Sequence, residues 1–363
     1  MSRILISAAE ASGDRLAAQF VAEMEPRIGS VPFVGIAGAS MRTAGVEALA
    51  EVEELSVMGF AELLGKLGAI LKARGSMRRA IHAGASGLVV VDAPDLNMPL
   101  ARLAHRRGIP VVFLVSPQVW AWRGARAREI SRIADVVLCL FDFEPKYYGR
   151  WGGRAEWVGH PVVERVRPSE PGRGYAFLPG SRLSEVQRLL PVMAEVVRML
   201  RQREPDVPIR FGVAEEIGLA RMKAMVDALG ISDVVFSEGL EAAAAPSAAC
   251  LVCSGTATLE LACMGRPMVV VYKAHRLTWW IGRLWVRGVQ HIALPNILLG
   301  REAVPEFVQH LEPKVLVECL REASEGTSQR SALADVRARL GEVGAAGRAA
   351  DCAAAVFASR VSG

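Results

Sequence analysis

Four short stretches carry residue types able to move a proton or hold a phosphate. In Leu88-Val-Val-Val-Asp-Ala-Pro-Asp-Leu-Asn97 an apolar run ends in Asp92, followed within five residues by Asp95 and Asn97. A carboxylate at the end of a buried strand can take a proton from a hydroxyl, and Asn97 can hydrogen-bond to the same group. Asp92, the first residue past the strand, is the better base, while an Asx turn or a helix cap explains Asp95 equally well. Pro94 fixes the turn and removes one donor. Ser7-Ala-Ala-Glu-Ala-Ser-Gly-Asp14 follows the first apolar run and opens a helix. Ser12 or Asp14 can cap that helix, Gly13 permits close backbone approach, and Glu10 adds a second carboxylate at a strand's carboxyl end. A capped strand-to-helix turn accounts for these residues without a ligand, and the G-x-G-x-x-G dinucleotide fingerprint is absent.

The other two stretches suit a diphosphate. Phe177-Leu-Pro-Gly-Ser-Arg182 is a glycine turn followed by arginine at a helix start. Cys253-Ser-Gly-Thr-Ala-Thr-Leu-Glu260 reads as strand, small-residue turn and helix. The main-chain N–H groups of Ser254, Gly255 and Thr256 can cradle phosphate, and Glu260 can reach a ribose diol. Small residues often cap helices, so either stretch alone is weak; together, in the second half only, they favour a nucleotide-diphosphate donor there.

Three further patterns carry ordinary structural explanations. Cys250-x-x-Cys253 has metal or redox spacing, but residues three apart on a buried strand point to opposite faces, and no second pair lies nearby, so no metal is expected. His160 before Pro161 is as well explained by structure as by function. Leu63, Leu64, Leu67, Ile70 and Leu71 follow helical spacing beside Lys66, Lys72, Arg74, Arg78 and Arg79. A core-facing helix explains that stripe; acyl chains and anionic headgroups would also suit it. The same holds for Trp279, Trp280, Leu284 and Trp285 with Arg276, Arg283 and Arg287.

The elements that must position these residues show in the alternation of short β-branched runs with longer helical stretches. Strands are expected at Ile4–Ser7, Phe33–Ile36, Leu88–Val91, Val111–Val115, Val136–Leu140 and Glu156–Val158, and, after a Pro168–Gly174 linker, at Ala176–Leu178, Ile209–Gly212, Val234–Phe236, Cys250–Cys253 and Met268–Tyr272. Continuous apolar runs mark parallel strands covered on both faces. Each half is therefore an α/β, doubly wound parallel sheet of the Rossmann-like kind, with ligands at the strands' carboxyl ends and a cleft expected between the halves. The boundaries fall at 1–166, 167–326 and a helical tail at 327–363, expected to pack back on the first domain. A length of 363 residues with 52% apolar content supports two cores. Six scattered cysteines indicate reduced, cytoplasmic usage. Neither a signal peptide nor a spanning segment is legible, so a soluble protein is expected. The net charge of +5 permits an acidic partner, and without nucleic-acid motifs a phosphorylated substrate or anionic membrane fits better than nucleic acid.

Taken in order, the motifs resemble the lipid-A-disaccharide synthase family. They are Glu10-Ala-Ser-Gly-Asp14, Val34-Gly-Ile-Ala-Gly38, Ser56-Val-Met-Gly59, Asp92-Ala-Pro-Asp-Leu-Asn97, Ser116-Pro-Gln-Val-Trp-Ala-Trp-Arg123, Gly159-His-Pro161, Leu178-Pro-Gly-Ser-Arg182, Ser254-Gly-Thr-Ala257 and Leu294-Pro-Asn-Ile-Leu298. The Ser116–Arg123 segment is the most specific, and the resemblance runs to about Gln309. It implies a GT-B glycosyltransferase that joins UDP-2,3-diacylglucosamine to 2,3-diacylglucosamine 1-phosphate, giving a β-1,6-linked disaccharide 1-phosphate and UDP with inversion. It further implies Asp92 as base, assisted by Glu10 and Asp95. Ser12, Gly13, Asn97, Arg182, Ser254, Gly255, Thr256, Glu260 and Asn296 would bind substrate. No cofactor is implied, since a helix N-terminus and an arginine can neutralise the leaving group. The acyl substrates imply peripheral attachment to the anionic inner face of the inner membrane through Leu63, Leu64, Leu67, Ile70 and Leu71, and a homodimer stays open. The sequence departs from the family at Ala9, where glycine is usual, at Val163-Glu164, and in a somewhat short stretch around Phe211–Met222. Two rivals remain: another GT-B enzyme acting on a different lipid acceptor, which would lack the Ser116–Arg123 segment, and a non-catalytic nucleotide-sugar or lipid-binding protein, which would tolerate loss of Asp92.

Overall fold

A computed structural model describes residues 3–55, 63–117, 119, 124–274, 291–325 and 328–361. The chain forms two compact units, Met1–Pro161 with Gly341–Gly363, and Val162–Leu340. The 327–363 segment is thus divided: helix Ser328–Arg339 belongs to the second unit and helix Ala345–Val361 to the first.

The first unit holds seven parallel strands: β1 (Ile4–Ser7), β2 (Phe33–Ala37), β3 (Glu47–Glu51), β4 (Gly87–Val91), β5 (Val111–Leu114), β6 (Val136–Cys139) and β7 (Ala155–Trp157), in the order β3-β2-β1-β4-β5-β6-β7. Strands β1, β2, β4, β5 and β6 are buried along their whole length, which is why their sequences are unbroken apolar runs. Crossovers are made by α1 (Ala11–Ile28), α2 (Ala39–Thr43), α3 (Val52–Leu55), α4 (Leu63–His82), α5 (Pro94–Arg106), α6 (Gly124–Ile133) and α7 (Pro145–Gly149). Helix α1 turns Ala17, Phe20, Val21 and Met24 into the core, the spacing of one helical face. The C-terminal helix returns to this unit: Ala349, Ala350, Ala353, Val356 and Phe357 are buried in the same core, and Arg27 pairs with Asp351 at 2.6 Å. Gly87 opens β4 because a Cβ there would lie 2.3 Å from the Phe357 ring.

The second unit repeats the plan with β8 (Tyr175–Leu178), β9 (Ile209–Val213), β10 (Val235–Glu238), β11 (Ala249–Cys253), β12 (Met268–Tyr272) and β13 (Glu306–Val308), all parallel, in the order β10-β9-β8-β11-β12-β13. Its helices are α8 (Val162–Arg165), α9 (Leu183–Arg203), α10 (Leu219–Asp227), α11 (Leu240–Ala244), α12 (Ala257–Met264), α13 (Leu294–Leu299), α14 (Pro313–Glu325) and α15 (Ser328–Arg339), and the helix Ala345–Val361 of the first unit is α16. Helix α9 buries Val186, Leu189, Leu190, Met193 and Val197 over the sheet. Alternate residues of β11 face opposite sides: Ala249, Leu251 and Cys253 join the main core, and Cys250 does not. Burial pushes both thiols up to about 12, which makes them packing residues at neutral pH.

In each sheet the strand order reverses once, between β1 and β4 and between β8 and β11. The two strands on either side of such a reversal send their following loops in opposite directions and leave a crevice at their carboxyl ends. All four chemically suggestive stretches lie at these two points.

Candidate active site

At the reversal in the first sheet, β1 runs directly beside β4, with Ser7 level with Val90. Glu10 and Asp92 therefore leave neighbouring strand ends. Glu10 is the N-cap residue of α1 and is exposed. The Asp92 side chain also reaches solvent, but surrounding protein excludes enough water to raise its pKa above the usual carboxylate value. A hydrogen bond with the Ala93 backbone partly offsets this, and the negative charge of Glu10 adds to it. Burial first, and the charge of Glu10 second, thus push the pKa of Asp92 in the direction that makes it a better proton acceptor near neutrality.

The turn that presents Asp92 is strained. Asp92 and Ala93 both have φ of +43°, a region costly for residues with a Cβ. Pro94 follows and disfavours the right-handed helical conformation at Ala93. Asn97 holds this turn in place. It is fully buried, and its Nδ2 donates to the carbonyls of Asp92 (2.8 Å), Val91 (3.0 Å) and Ser7 (3.4 Å), while its Oδ1 accepts from Ser7 Oγ at 2.7 Å. Its polar atoms bracket β1, β4 and the Asp92 turn. Asp95 caps nothing; it sits exposed in the first turn of α5, where Arg126 Nη2 reaches its Oδ1 at 3.2 Å.

Two other residues change role. Asp14 does not cap α1; it is buried and accepts from the N–H groups of Gly38 (2.7 Å), Ser40 (2.8 Å) and Met41 (3.3 Å), so it caps α2 from outside. Ser12 is exposed in the first turn of α1. Gly13 lies against the end of β4, where a Cβ would meet Val91 at 3.4 Å, an ordinary packing contact. Nearby, Val115 closes β5 at φ +77°, unusual for a β-branched residue.

At the reversal in the second sheet, β8 leads into Gly180, at φ +111°, where a Cβ would lie 2.6 Å from Glu185. Arg182 is the N-cap residue of α9 and pairs with Glu185 at 3.0 Å, leaving most of its side chain exposed. From the neighbouring β11, Ser254 N–H donates to the Val271 carbonyl, so it is engaged in the sheet. Its Oγ donates to the Ile292 carbonyl at 2.9 Å. Gly255 and Thr256 form the turn into α12, and Glu260 in its first turn pairs with Arg165 at 2.6 Å. Asn296 is fully buried; Oδ1 accepts from Ala303 and Val304 N–H, and Nδ2 donates to the Val304 carbonyl. It pins its own loop.

On α4 the buried face is Ala73, Met77, Ala80 and Ile81. Ile70 packs half-buried against the core, whereas Leu71 is 62% exposed beside exposed Lys72, Arg78 and Arg79. The side chains of Leu63, Leu64 and Leu67, together with Ser56–Gly59, Gln118, Trp120–Arg123 and the Trp279–Arg287 stripe, lie outside the described residues. His160 is half-buried with its ring 5.6 Å from that of Phe141. Sequence reasoning set Arg74 in the basic run beside the leucine stripe rather than at Asp95, and missed Arg126 at Asp95 and Arg165 against Glu260. Their distance along the chain gives no local signal.

The fold is shared with proteins of low sequence identity. They include a putative UDP-N-acetylglucosamine 2-epimerase from Listeria monocytogenes (13% identity, TM-score 0.64, covering 99% of this chain and 96% of that one). The calicheamicin glycosyltransferase CalG4 matches at 16% identity and TM-score 0.62 with both chains fully covered. These likenesses show the fold, two Rossmann-like units of the GT-B class. Closer in sequence are lipid-A-disaccharide synthases of Myxococcus xanthus, 37% identical with 96% of each chain covered, and of Anaeromyxobacter dehalogenans, 40% identical with the same coverage. One from Neisseria meningitidis is 38% identical, covering 91% of this chain and 90% of its own. A family model described as lipid-A-disaccharide synthetase matches residues 4–342, and the chain belongs to that family.

Proposed function

We propose that the chain joins UDP-2,3-diacylglucosamine to 2,3-diacylglucosamine 1-phosphate, releasing UDP and a β-1,6-linked disaccharide 1-phosphate. The observation that carries this is the Glu10–Asp92 pair at the reversal of the first sheet, in a chain matched by the family from residue 4 to 342. Asp92 takes the proton of the acceptor 6-hydroxyl as that oxygen attacks the anomeric carbon. The bond to the diphosphate breaks on the opposite face, which inverts the configuration. Arg182 and the N–H groups of Gly255 and Thr256 take up the charge left on UDP, and Glu260 meets the ribose hydroxyls. Incubation of the purified protein with both lipid substrates should release UDP and form the disaccharide together. UDP release without acceptor, or none with it, would overturn the assignment.

Arg182→Ala and Glu260→Ala should both weaken UDP, by different routes. Loss of the arginine removes a charge-assisted contact and also slows departure of the leaving group, so kcat falls with affinity. Loss of Glu260 acts on binding and frees Arg165. Calorimetry with UDP checks both; unchanged affinity in the two variants removes the nucleotide from this turn.

No helix among the described residues is long and apolar enough to cross a membrane. Substrates with acyl chains then require docking at a surface, here the cytoplasmic face of the inner membrane. Leu71 with Lys72, Arg78 and Arg79 supplies an apolar contact and basic neighbours, each cation near an anionic surface adding about 1 kcal/mol. Leu71→Ser should reduce sedimentation with anionic vesicles without changing the melting temperature. Ile70→Ser should lower the melting temperature, because that side chain packs on the core. Undiminished vesicle binding by Leu71→Ser removes this face from the docking surface.

A further inference from the structure

Asp95 stands three residues beyond the proposed base, and two arginines converge on it from other helices. Arg126, on α6, is only 19% exposed in its side chain, yet its carboxylate partner is the 91% exposed Asp95. Glu129, one turn along α6, is occupied by Arg102. Arg74, on α4, donates its Nη2 to the main-chain carbonyl of Asp95. It makes no ion pair with a carboxylate among the described residues, and its buried Nε has no hydrogen-bond partner there. Two positive charges thus meet at the exposed Asp95, and the other carboxylate near Arg126, Glu129, is already engaged by Arg102. Arg74, Arg126 and Asp95 lie by the first turn of α5, a 13-residue helix whose N-cap, Ala93, contributes no side-chain cap.

A carboxylate held open to solvent by one 3.2 Å contact is weakly bound and readily displaced. A phosphate monoester carries nearly two negative charges and three acceptor oxygens, so it satisfies two guanidinium groups and a helix N-terminus better than Asp95 does. We propose that Arg74 and Arg126, at the N-terminus of α5, form a subsite for a phosphate monoester on the acceptor, and that Asp95 occupies it as a placeholder until the acceptor arrives. The assignment rests on the reading of Asp92 as the acceptor's base. It makes the phosphate the handle by which the sugar is oriented, so that the hydroxyl presented to Asp92 is selected by the anchoring of the opposite end of the ring.

The test is calorimetric titration of the full chain with 2,3-diacylglucosamine 1-phosphate in detergent micelles, alongside the same lipid without its phosphate, inorganic phosphate and UDP. Wild type should bind the phosphorylated lipid at least about tenfold more tightly than the dephosphorylated one, a difference worth about 1.4 kcal/mol. Arg126→Ala and Arg74→Ala should each erase most of that preference while leaving UDP affinity and the melting temperature close to wild type. Arg126→Lys should recover part of it through charge without the planar fork. Asp95→Asn should bind the phosphorylated lipid as tightly as wild type or more so, because it removes the competing charge. Inorganic phosphate should compete with the lipid phosphate in wild type and fail to do so in Arg126→Ala. Equal binding of both lipids by wild type, or a loss in Asp95→Asn as large as in Arg126→Ala, overturns the subsite. Lost UDP affinity in the arginine variants would assign the pair to the donor instead. Binding is read without turnover, so the outcome is separate from the UDP-release assay: a preserved phosphate preference without UDP release would sink the transferase and leave the subsite standing.

Discussion

Asp92→Asn should lower kcat by about 10²-fold or more and leave UDP affinity near the wild-type value, because it removes a proton acceptor and keeps the shape. The pH profile provides a second readout. Exclusion of water, with a contribution from the charge of Glu10, raises the Asp92 pKa. The base is lost by protonation as pH falls through that raised value, so the acid limb of kcat/KM in wild type should lie above the ordinary carboxylate range. Glu10→Gln removes one source of the rise and should move the limb to lower pH, with a smaller loss of rate than Asp92→Asn. Turnover close to wild type in Asp92→Asn would remove Asp92 from the role of base.

Asn97→Ala should be among the most damaging single changes for stability. It leaves the carbonyls of Ser7, Val91 and Asp92 and the Ser7 hydroxyl without their buried partner. Each stranded group costs roughly 1–3 kcal/mol, and the two residues at φ +43° lose the bracket that holds them. With relaxation, a net loss on the order of 3 kcal/mol is expected, equivalent to a melting temperature lower by about 10 °C for a unit of this size. The kcat should fall as well, because the released turn carries Asp92. Asp95→Ala, which removes one weak exposed ion pair, should leave the melting temperature within a degree or two. Comparable melting of Asn97→Ala and Asp95→Ala would refute the bracket.

Both predictions show where local sequence carries structural information and where it does not. The central strands were legible because strands covered on both faces must be apolar throughout, and Ile4–Ser7 is found as expected. The edge strands β3 and β13 were not: Glu47-Ala-Leu-Ala-Glu51 and Glu306-Phe-Val308 are short, partly exposed and charged. Asp92 was visible because a carboxylate directly after a buried strand has little structural excuse. Asn97, Asn296 and Asp14 have the same polar types, but buried backbone groups consume them, and local sequence does not distinguish a carbonyl partner from a ligand. Arg126 and Asp95 are 31 residues apart and meet only because α5 and α6 follow neighbouring strands.

The return of α16 to the first unit has a consequence for how the protein is made. A ribosome releases residues 162–340 as one uninterrupted stretch, so the second unit can close as soon as it emerges. The first unit is synthesised earlier but cannot be completed earlier. The ring of Phe357 fills the space that Gly87 leaves at the foot of β4, and Ala349, Ala350, Ala353 and Val356 cover the same core. Until those last residues emerge, the sheet that carries Asp92 has an uncovered apolar surface, open to chaperones and proteases. The order of completion therefore reverses the order of synthesis, and a nascent chain that has exposed Leu340 but not yet Ala345 would hold a finished second unit beside an unfinished first one.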